Sequence, residues 1–265
     1  MSNTYPSVGY SNLAINDSQS HPRQNAMALP RWLLPLSLGL LMLTGIVEMA
    51  FISSMVYWLH RFAGGEYTVA TATIAGTTFT LHGKPKHFLL NQGHTSNGAA
   101  GTAFVGVGLG GILVLWLRAR ALRRGEYRGF TKAIYHAWLV LVVFSALLSI
   151  AALVYTYLLT YQHWGQTINI VDASLLKNQP YPNQVAYSIQ AWTPENWFKA
   201  VLKLPLAQKS DRKNIWNHLY IMRAWRWNLI PLVVFGVIFA VVALLDAREK
   251  RRFMGSRRAV TKGRV

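Results

Sequence analysis

Apolar residues gather into four long stretches, at about 33–59, 99–117, 133–161 and 228–245, and polar residues fill the segments between them. A helix rises about 1.5 Å per residue, so each stretch is near or above the roughly 20 residues needed to cross about 30 Å of hydrocarbon. The apolar positions do not keep to one side. Residues 139–152 are apolar all round apart from Ser145 and Ser149, and 229–245 contain no charged or hydroxyl residue. A core helix of a water-soluble domain would show polar residues every third or fourth position on its wet face. The pattern therefore predicts four transmembrane helices, joined by a loop at 60–98, a short segment, and a long loop at 162–227.

Two of the connecting segments carry structure of their own. Residues 67–81 read YTVATATIAGTTFTL, rich in β-formers with Ala75-Gly76 near the middle, which predicts a short β-hairpin. Gly83, Pro85 and Gly93 then mark loop. The 162–227 segment is too long for a plain connection. Thr193-Pro194-Glu195 is a helix start: a capping hydroxyl, proline at the first helical position, an acid in the first turn. Trp197, Val201 and Leu204 follow on one face, with Lys199 and Lys203 on another. A second start lies at Ser210-Asp211, with Ile215, Leu219 and Met222 at helical spacing and the helix able to run on toward the fourth span. Both helices are expected to lie across the outer ends of the bundle or in the headgroup region. Trp164, Trp192, Trp197, Trp216, Trp225 and Trp227 fit an interfacial belt, with an aromatic cage as the alternative. The expected fold is a membrane protein, mainly α: a four-helix transmembrane bundle under a small exoplasmic cap made of that hairpin and two amphipathic helices.

Charge sets the orientation. The chain has 27 Lys and Arg against 9 Asp and Glu, a net charge of +18. Arg118, Arg120, Arg123, Arg124, Arg128 and Lys132 lie between the second and third stretches, and Arg248, Lys250, Arg251, Arg252, Arg257, Arg258, Lys262 and Arg264 follow the fourth. The positive-inside rule puts both groups, and hence both termini, on the cytoplasmic side of the plasma membrane or another endomembrane. The chain then divides into a polar, disordered cytoplasmic tail (1–30), a four-span membrane domain (31–247) and a basic cytoplasmic tail (248–265). The polar tail ahead of an over-long first stretch does not read as a cleavable signal peptide. Asn16 lies in a glycosylation sequon but on the cytoplasmic side, so no glycan is expected there. Arg118, Arg120, Arg123, Arg124, Arg251 and Arg252 are the candidate contacts to anionic lipid of the inner leaflet. Nucleic acid is not expected as a partner. The chain has no cysteine, which excludes disulfides, thiolate metal sites, thiol catalysis and palmitoylation.

Glu48 is the only acidic residue inside the four stretches. A carboxyl at that depth must be protonated, paired or hydrated. Three readings follow: a proton or cation relay, a hydrogen-bonded cross-link to a neighbouring helix (with Ser145 or Ser149 as partners), or a position nearer the outer interface through tilt or register. Residues 106–111 formally satisfy the dinucleotide pattern GxGxxG, but they lie within an apolar span instead of after a strand, so that chemistry is rejected. Gly106 and Gly110 form a GxxxG pair, extended by Ala99, Ala100, Gly101 and Ala103, and predict close packing of the second span. His82, His87 and His94 are weak candidates for a metal site, since their spacing matches no helix-borne pair. No nucleophile elbow, phosphate loop or paired carboxylates occur, so no catalytic activity and no cofactor are expected.

The four spans, cytoplasmic termini, strand-bearing first outer loop and basic inner loop resemble the claudin-type tetraspan architecture, a type that includes fungal plasma-membrane eisosome and pH-sensing proteins. The claudin Trp…Gly-Leu-Trp…Cys…Cys signature is missing, so strand assembly of the tight-junction kind is not implied. Residues 91–101 (NQGHTSNGAAG), 192–197 (WTPENW) and 225–231 (WRWNLIP) also resemble filamentous-fungal membrane proteins to which no function attaches. These resemblances transfer no functional residue. The expected function is a membrane organiser or accessory protein that binds lipids, other membrane proteins or itself. The alternative is a small transporter, channel or proton-coupled component using Glu48.

Overall fold

A computed structural model describes residues 30–70, 77–127, 129–176, 179–181 and 191–262, with side chains through Arg251. The N-terminal tail, the tip of the expected hairpin and the side chains beyond Arg251 lie outside the described residues. The chain is mainly helical, and four of its helices are long and apolar enough to cross a membrane. These are α1 (Leu33–Arg61), α2 (Asn91–Arg123), α3 (Phe130–Gln162) and the helix α6, which starts at Lys209 and continues to Lys262. Between them lie β1 (Glu66–Ala70), β2 (Thr78–His82), α4 (Ile170–Leu175) and α5 (Pro194–Val201).

The long helices alternate in direction, and each packs on its neighbour in sequence, with α6 closing the ring against α1. Their shared core holds Leu38, Leu41, Val107, Trp138, Val142, Leu229, Leu232 and Phe239. The expected small-residue surface is present: Ala99, Ala100 and Ala103 are fully buried. A Cβ at Gly45 of α1 would sit 3.3 Å from Phe104 Cβ and 3.4 Å from the Ala100 carbonyl, so α1 and α2 approach closely there.

The register of that surface differs from the sequence reading. Thr102–Leu109 is π-helical, between α-helical flanks. Each π turn holds an extra residue, so the faces of α2 rotate relative to an ideal helix. A Cβ at Gly106 would still meet α3, 3.2 Å from Leu141 Cδ2, but one at Gly110 would meet only its own helix, at 3.6 Å from the Val105 carbonyl. The tightest positions are instead Gly108, where a Cβ would lie 2.6 Å from Met42 Cγ, and Gly111, where it would lie 2.8 Å from Trp138 Cζ2.

The second core belongs to a cap over one end of the bundle. Here β1 and β2 pair antiparallel, Tyr67 opposite Leu81 and Val69 opposite Phe79, with Tyr67, Val69 and Leu81 turned inward. Residues 204–207 run along the free edge of β1: Ala70 N–H donates to the Pro205 carbonyl and Ala207 N–H to the Thr68 carbonyl, both at 2.9 Å. The start of α5 is as its sequence dictates. Thr193 caps it by accepting from Asn196 N–H, and Pro194 opens the first turn. One expectation is corrected in part. Of the two positions expected for α5, across the outer end of the bundle or in the headgroup region, the second is ruled out: α5 is buried on nearly all sides, because Trp197, Phe198 and Val201 form the centre of the cap core. The second amphipathic segment is the first part of α6 and, as its sequence allowed, runs on into the fourth span. The tryptophans also divide. Trp164, Trp216 and Trp227 are exposed as a belt would require, but Trp192 and Trp197 are fully buried and packed edge to face at 5.2 Å.

Candidate functional site

The two apolar cores meet at a layer of buried polar side chains. On α1, Leu41 belongs to the bundle core and Met55 to the cap core, with Thr44 and Glu48 between them. On α6, Met222 and Leu229 mark the same two limits, with Arg226 and Asn228 between. Gln92 and Ser96 precede the first bundle residue of α2, and Thr156 and Thr160 follow the last of α3. A polar group in an apolar surrounding is tolerated when hydrogen-bonded, and most of this layer is. Ser96 and Thr156 hydroxyls face each other at 3.3 Å, joining α2 to α3. Asn196 Nδ2 donates to the Thr160 carbonyl at 3.0 Å and to Thr193 Oγ1 at 2.8 Å, which fastens the start of α5 to the end of α3.

Glu48 lies in this layer and is fully buried. Its partner is on the fourth span, not the third. Asn228 Nδ2 donates to Glu48 Oε2 at 2.8 Å and to the Thr44 carbonyl at 3.1 Å. Ser149 instead donates to the Ser145 carbonyl within its own helix. The second carboxyl oxygen, Glu48 Oε1, has no hydrogen bond of good geometry among the described residues, and the indole N–H of Trp225 stands beside the carboxyl as a second, looser donor.

A compact ion cluster lies on the α5 side of the layer. Glu195 Oε1 is 3.2 Å from Arg226 Nη2 and 3.6 Å from Arg223 Nε. Burial pushes the Glu195 carboxyl above its ordinary range, and the guanidiniums of Arg226 and Arg223 pull it back only in part. Lys199 rests its ammonium 3.5 Å from the Trp164 ring centroid, and burial lowers its ordinary value. Three cations against one acid leave this corner positive.

Above Glu48, a crevice of about 240 Å³ opens between the last turns of α1, the start of α2 and α6, beneath the cap. Ile52, Met55, Leu59, Phe88 and Met222 make its wall mainly apolar, with Lys84, His60 and His94 among its polar lining residues. Of the three metal candidates, His94 lines this crevice, His87 is exposed on the connector, and His82 Nδ1 lies within hydrogen-bond distance of the Lys84 amide and carbonyl. Among the described residues no group of three or more His, Asp or Glu is placed to hold a metal.

The candidate lipid contacts lie at the opposite end of the bundle. Arg120, Arg123 and Arg124 are exposed, and exposed Arg251 lies 2.6 Å from His136 Nε2. Arg118 is a correction. It is almost completely buried, paired with Asp246 at 3.0 Å and stacked over Tyr135 at 3.9 Å, so its charge holds α2 to α6 and is not offered to a headgroup. The side chain of Arg252 lies outside the described residues. Asp246 and Asn228 were not singled out by the sequence, and Gly108, Gly111 and Trp225 were read without these contacts. Asn228 had a visible signal, as the only amide in the fourth apolar stretch. No protein-family model, curated protein or solved structure matches the chain.

Proposed function

We propose that the chain is a multi-pass membrane organiser or accessory protein that binds lipids and neighbouring membrane proteins without catalysing a reaction. In this reading both termini and the arginine-bearing end lie on the cytoplasmic side, where exposed Arg120, Arg123, Arg124 and Arg251 meet anionic headgroups. The cap then stands on the exoplasmic side. The apolar band of α6 between the arginine end and the polar layer, Leu229 to Leu245, rises about 24 Å, toward the lower end of what crosses a bilayer core of about 30 Å. Exposed Tyr161, Trp164 and Trp227 fall at the outer boundary, where amphipathic rings are favoured.

The observation that carries the reading is the bond from Asn228 to Glu48. It makes the carboxyl a cross-link between the first and fourth spans, at the join of a cap and a bundle that share one long helix. The rival reading, a proton-coupled component, draws on the unpaired Glu48 Oε1 beside the crevice. Crosslinking and capture from native membranes, comparing wild type with Glu48→Gln, separates the two. A reproducible set of membrane-protein partners that the substitution leaves unchanged is expected. Absence of partners, together with altered ion or proton flux in the mutant, would overturn the organiser assignment.

A further inference from the structure

We infer that the crevice between α1, α2 and α6 is a binding site for an anionic amphiphile: an acyl chain carrying a carboxylate or phosphate head. The inference deepens the lipid-binding reading above and rests on it. The crevice runs from Ile52 to His60 along α1, eight residues or about 12 Å, from the level just above Glu48 to the top of the helix. Its inner wall is apolar, with Ile52, Met55, Leu59 and Met222. Such a wall favours hydrocarbon over a column of water, which needs two to four polar partners per molecule. Its mouth is apolar as well, because Val56 and Leu90 are 45% and 38% exposed there.

The polar lining is one-sided in charge. Lys84, His60 and His94 line the crevice, and among the described residues no acidic one does. Glu195, next in sequence to the lining residue Pro194, is occupied by Arg226 and Arg223. The Lys84 ammonium makes no hydrogen bond or ion pair among the described residues, and it lies over Gly64, 3.7 Å from where a Cβ would sit there. The backbone just before it is held in place, since Gly83 N–H donates to the Gly65 carbonyl at 2.7 Å and the Gly83 carbonyl accepts from the Trp197 indole at 2.8 Å. An unpaired cation lining an apolar slot is the arrangement a charged head and its chain require. One buried polar atom of a lining residue also has no partner among the described residues: Gln92 Oε1, on a side chain 2% exposed. It supplies an acceptor for a head hydroxyl, and a ligand making that bond would remove the cost of leaving it unmade.

The head chemistry has two sources, a free fatty acid or a bilayer phospholipid. The full chain, in nanodiscs of zwitterionic phosphatidylcholine, is labelled with a photoactivatable fatty acid, photoactivatable phosphatidylserine or photoactivatable phosphatidylcholine, and the sites are mapped by peptide mass spectrometry. Labelling is expected in residues 52–60, 88–97 or 222–225 with one or both anionic probes. The probe that labels names the source. Lys84→Ala is expected to reduce labelling about tenfold, the scale of one lost charge-assisted contact. Val56→Trp, which fills the mouth from an exposed position, should block it while cap folding, read by proteolysis, is unchanged. Equal labelling by phosphatidylcholine, labels scattered over the lipid-facing surface, or labelling unaffected by Lys84→Ala would each overturn the site. Partner capture in the Lys84→Ala variant is measured in parallel, so loss of the crevice assignment and loss of the organiser reading remain separate results.

Discussion

Alanine at two neighbouring glycines of α2 should have opposite effects. At Gly111 a Cβ would lie 2.8, 3.0 and 3.1 Å from three atoms of the Trp138 ring. Carbon atoms rest about 3.5–4.0 Å apart, so the ring has to retreat by roughly 0.7 Å or more. It has little room to do so, because its Nε1 donates to the Val107 carbonyl at 3.2 Å and its edge packs on Phe239 at 5.9 Å. Overpacking of this kind costs about 1–3 kcal/mol, against a helix-propensity gain of about 1 kcal/mol for replacing glycine. Gly111→Ala should therefore destabilise by roughly 0–2 kcal/mol. At Gly110 the new methyl meets only the Val105 carbonyl at 3.6 Å, an ordinary contact, so the propensity gain stands alone and the protein is stabilised by up to about 1 kcal/mol. The two variants should differ by about 1–3 kcal/mol. Unfolding in mixed micelles, followed by near-ultraviolet circular dichroism, measures that difference. A Gly110→Ala loss equal to or larger than that of Gly111→Ala would restore the ideal-helix GxxxG register and refute the rotation produced by the π segment.

Asn228→Leu leaves the Glu48 carboxyl without its donor and should cost about 1–3 kcal/mol, while a double replacement of Glu48 and Asn228 by Leu recovers most of the loss; the same micelle assay reads both. Gly83→Ala should open the cap to limited proteolysis, because the added Cβ overlaps the Ala63 carbonyl and lies 2.6 Å from the Gly65 carbonyl. Glu195 holds its proton more tightly folded than unfolded, so its contribution to stability is greatest below its ordinary value of 4.5 and declines as pH rises through the raised folded value. Thermal stability between about pH 4 and about pH 7 should thus fall more in wild type than in Glu195→Gln, and equal slopes would contradict the burial argument.

What the sequence made legible follows from local physics. The four spans appear because apolar length alone decides them, and the start of α5 appears because Thr193, Pro194 and Glu195 act within one turn. The inward face of the first part of α6 is legible for the same reason: Ile215, Leu219 and Met222 repeat at helical spacing, and all three are buried. Partners across helices were not legible. Glu48 pairs with Asn228, 180 positions away, and Arg118 with Asp246, 128 positions away. These contacts depend on the relative rotation of two helices, which for Arg118 the π segment of α2 also shifts. Burial of α5 was missed because Lys199 and Lys203 suggested a wet face. Lys203 is exposed, but Lys199 instead covers Trp164. Its long stem lies over apolar surface while its charge finds a ring face.

The polar layer explains why a carboxyl is tolerated near the middle of α1. Helix α1 has 29 residues, about 44 Å, more than a bilayer core requires. Its second half is therefore free to serve the cap, where Trp58 donates to Asn214 at 2.6 Å and stacks on His218 at 4.3 Å. The level of Glu48 is fixed by Asn228 at the outer limit of the fourth apolar stretch, two residues from Arg226, so the carboxyl marks where the bundle core ends and not its centre. Helix α6 crosses that level with Pro231 just below it, and a helical proline leaves the carbonyl four residues earlier, that of Trp227, without its usual donor. The helix is thus weakest where the cap and bundle cores meet. The bonds of Asn228 to Glu48 and to the Thr44 carbonyl brace it against α1 there, which gives the cap a fixed pose over the spans.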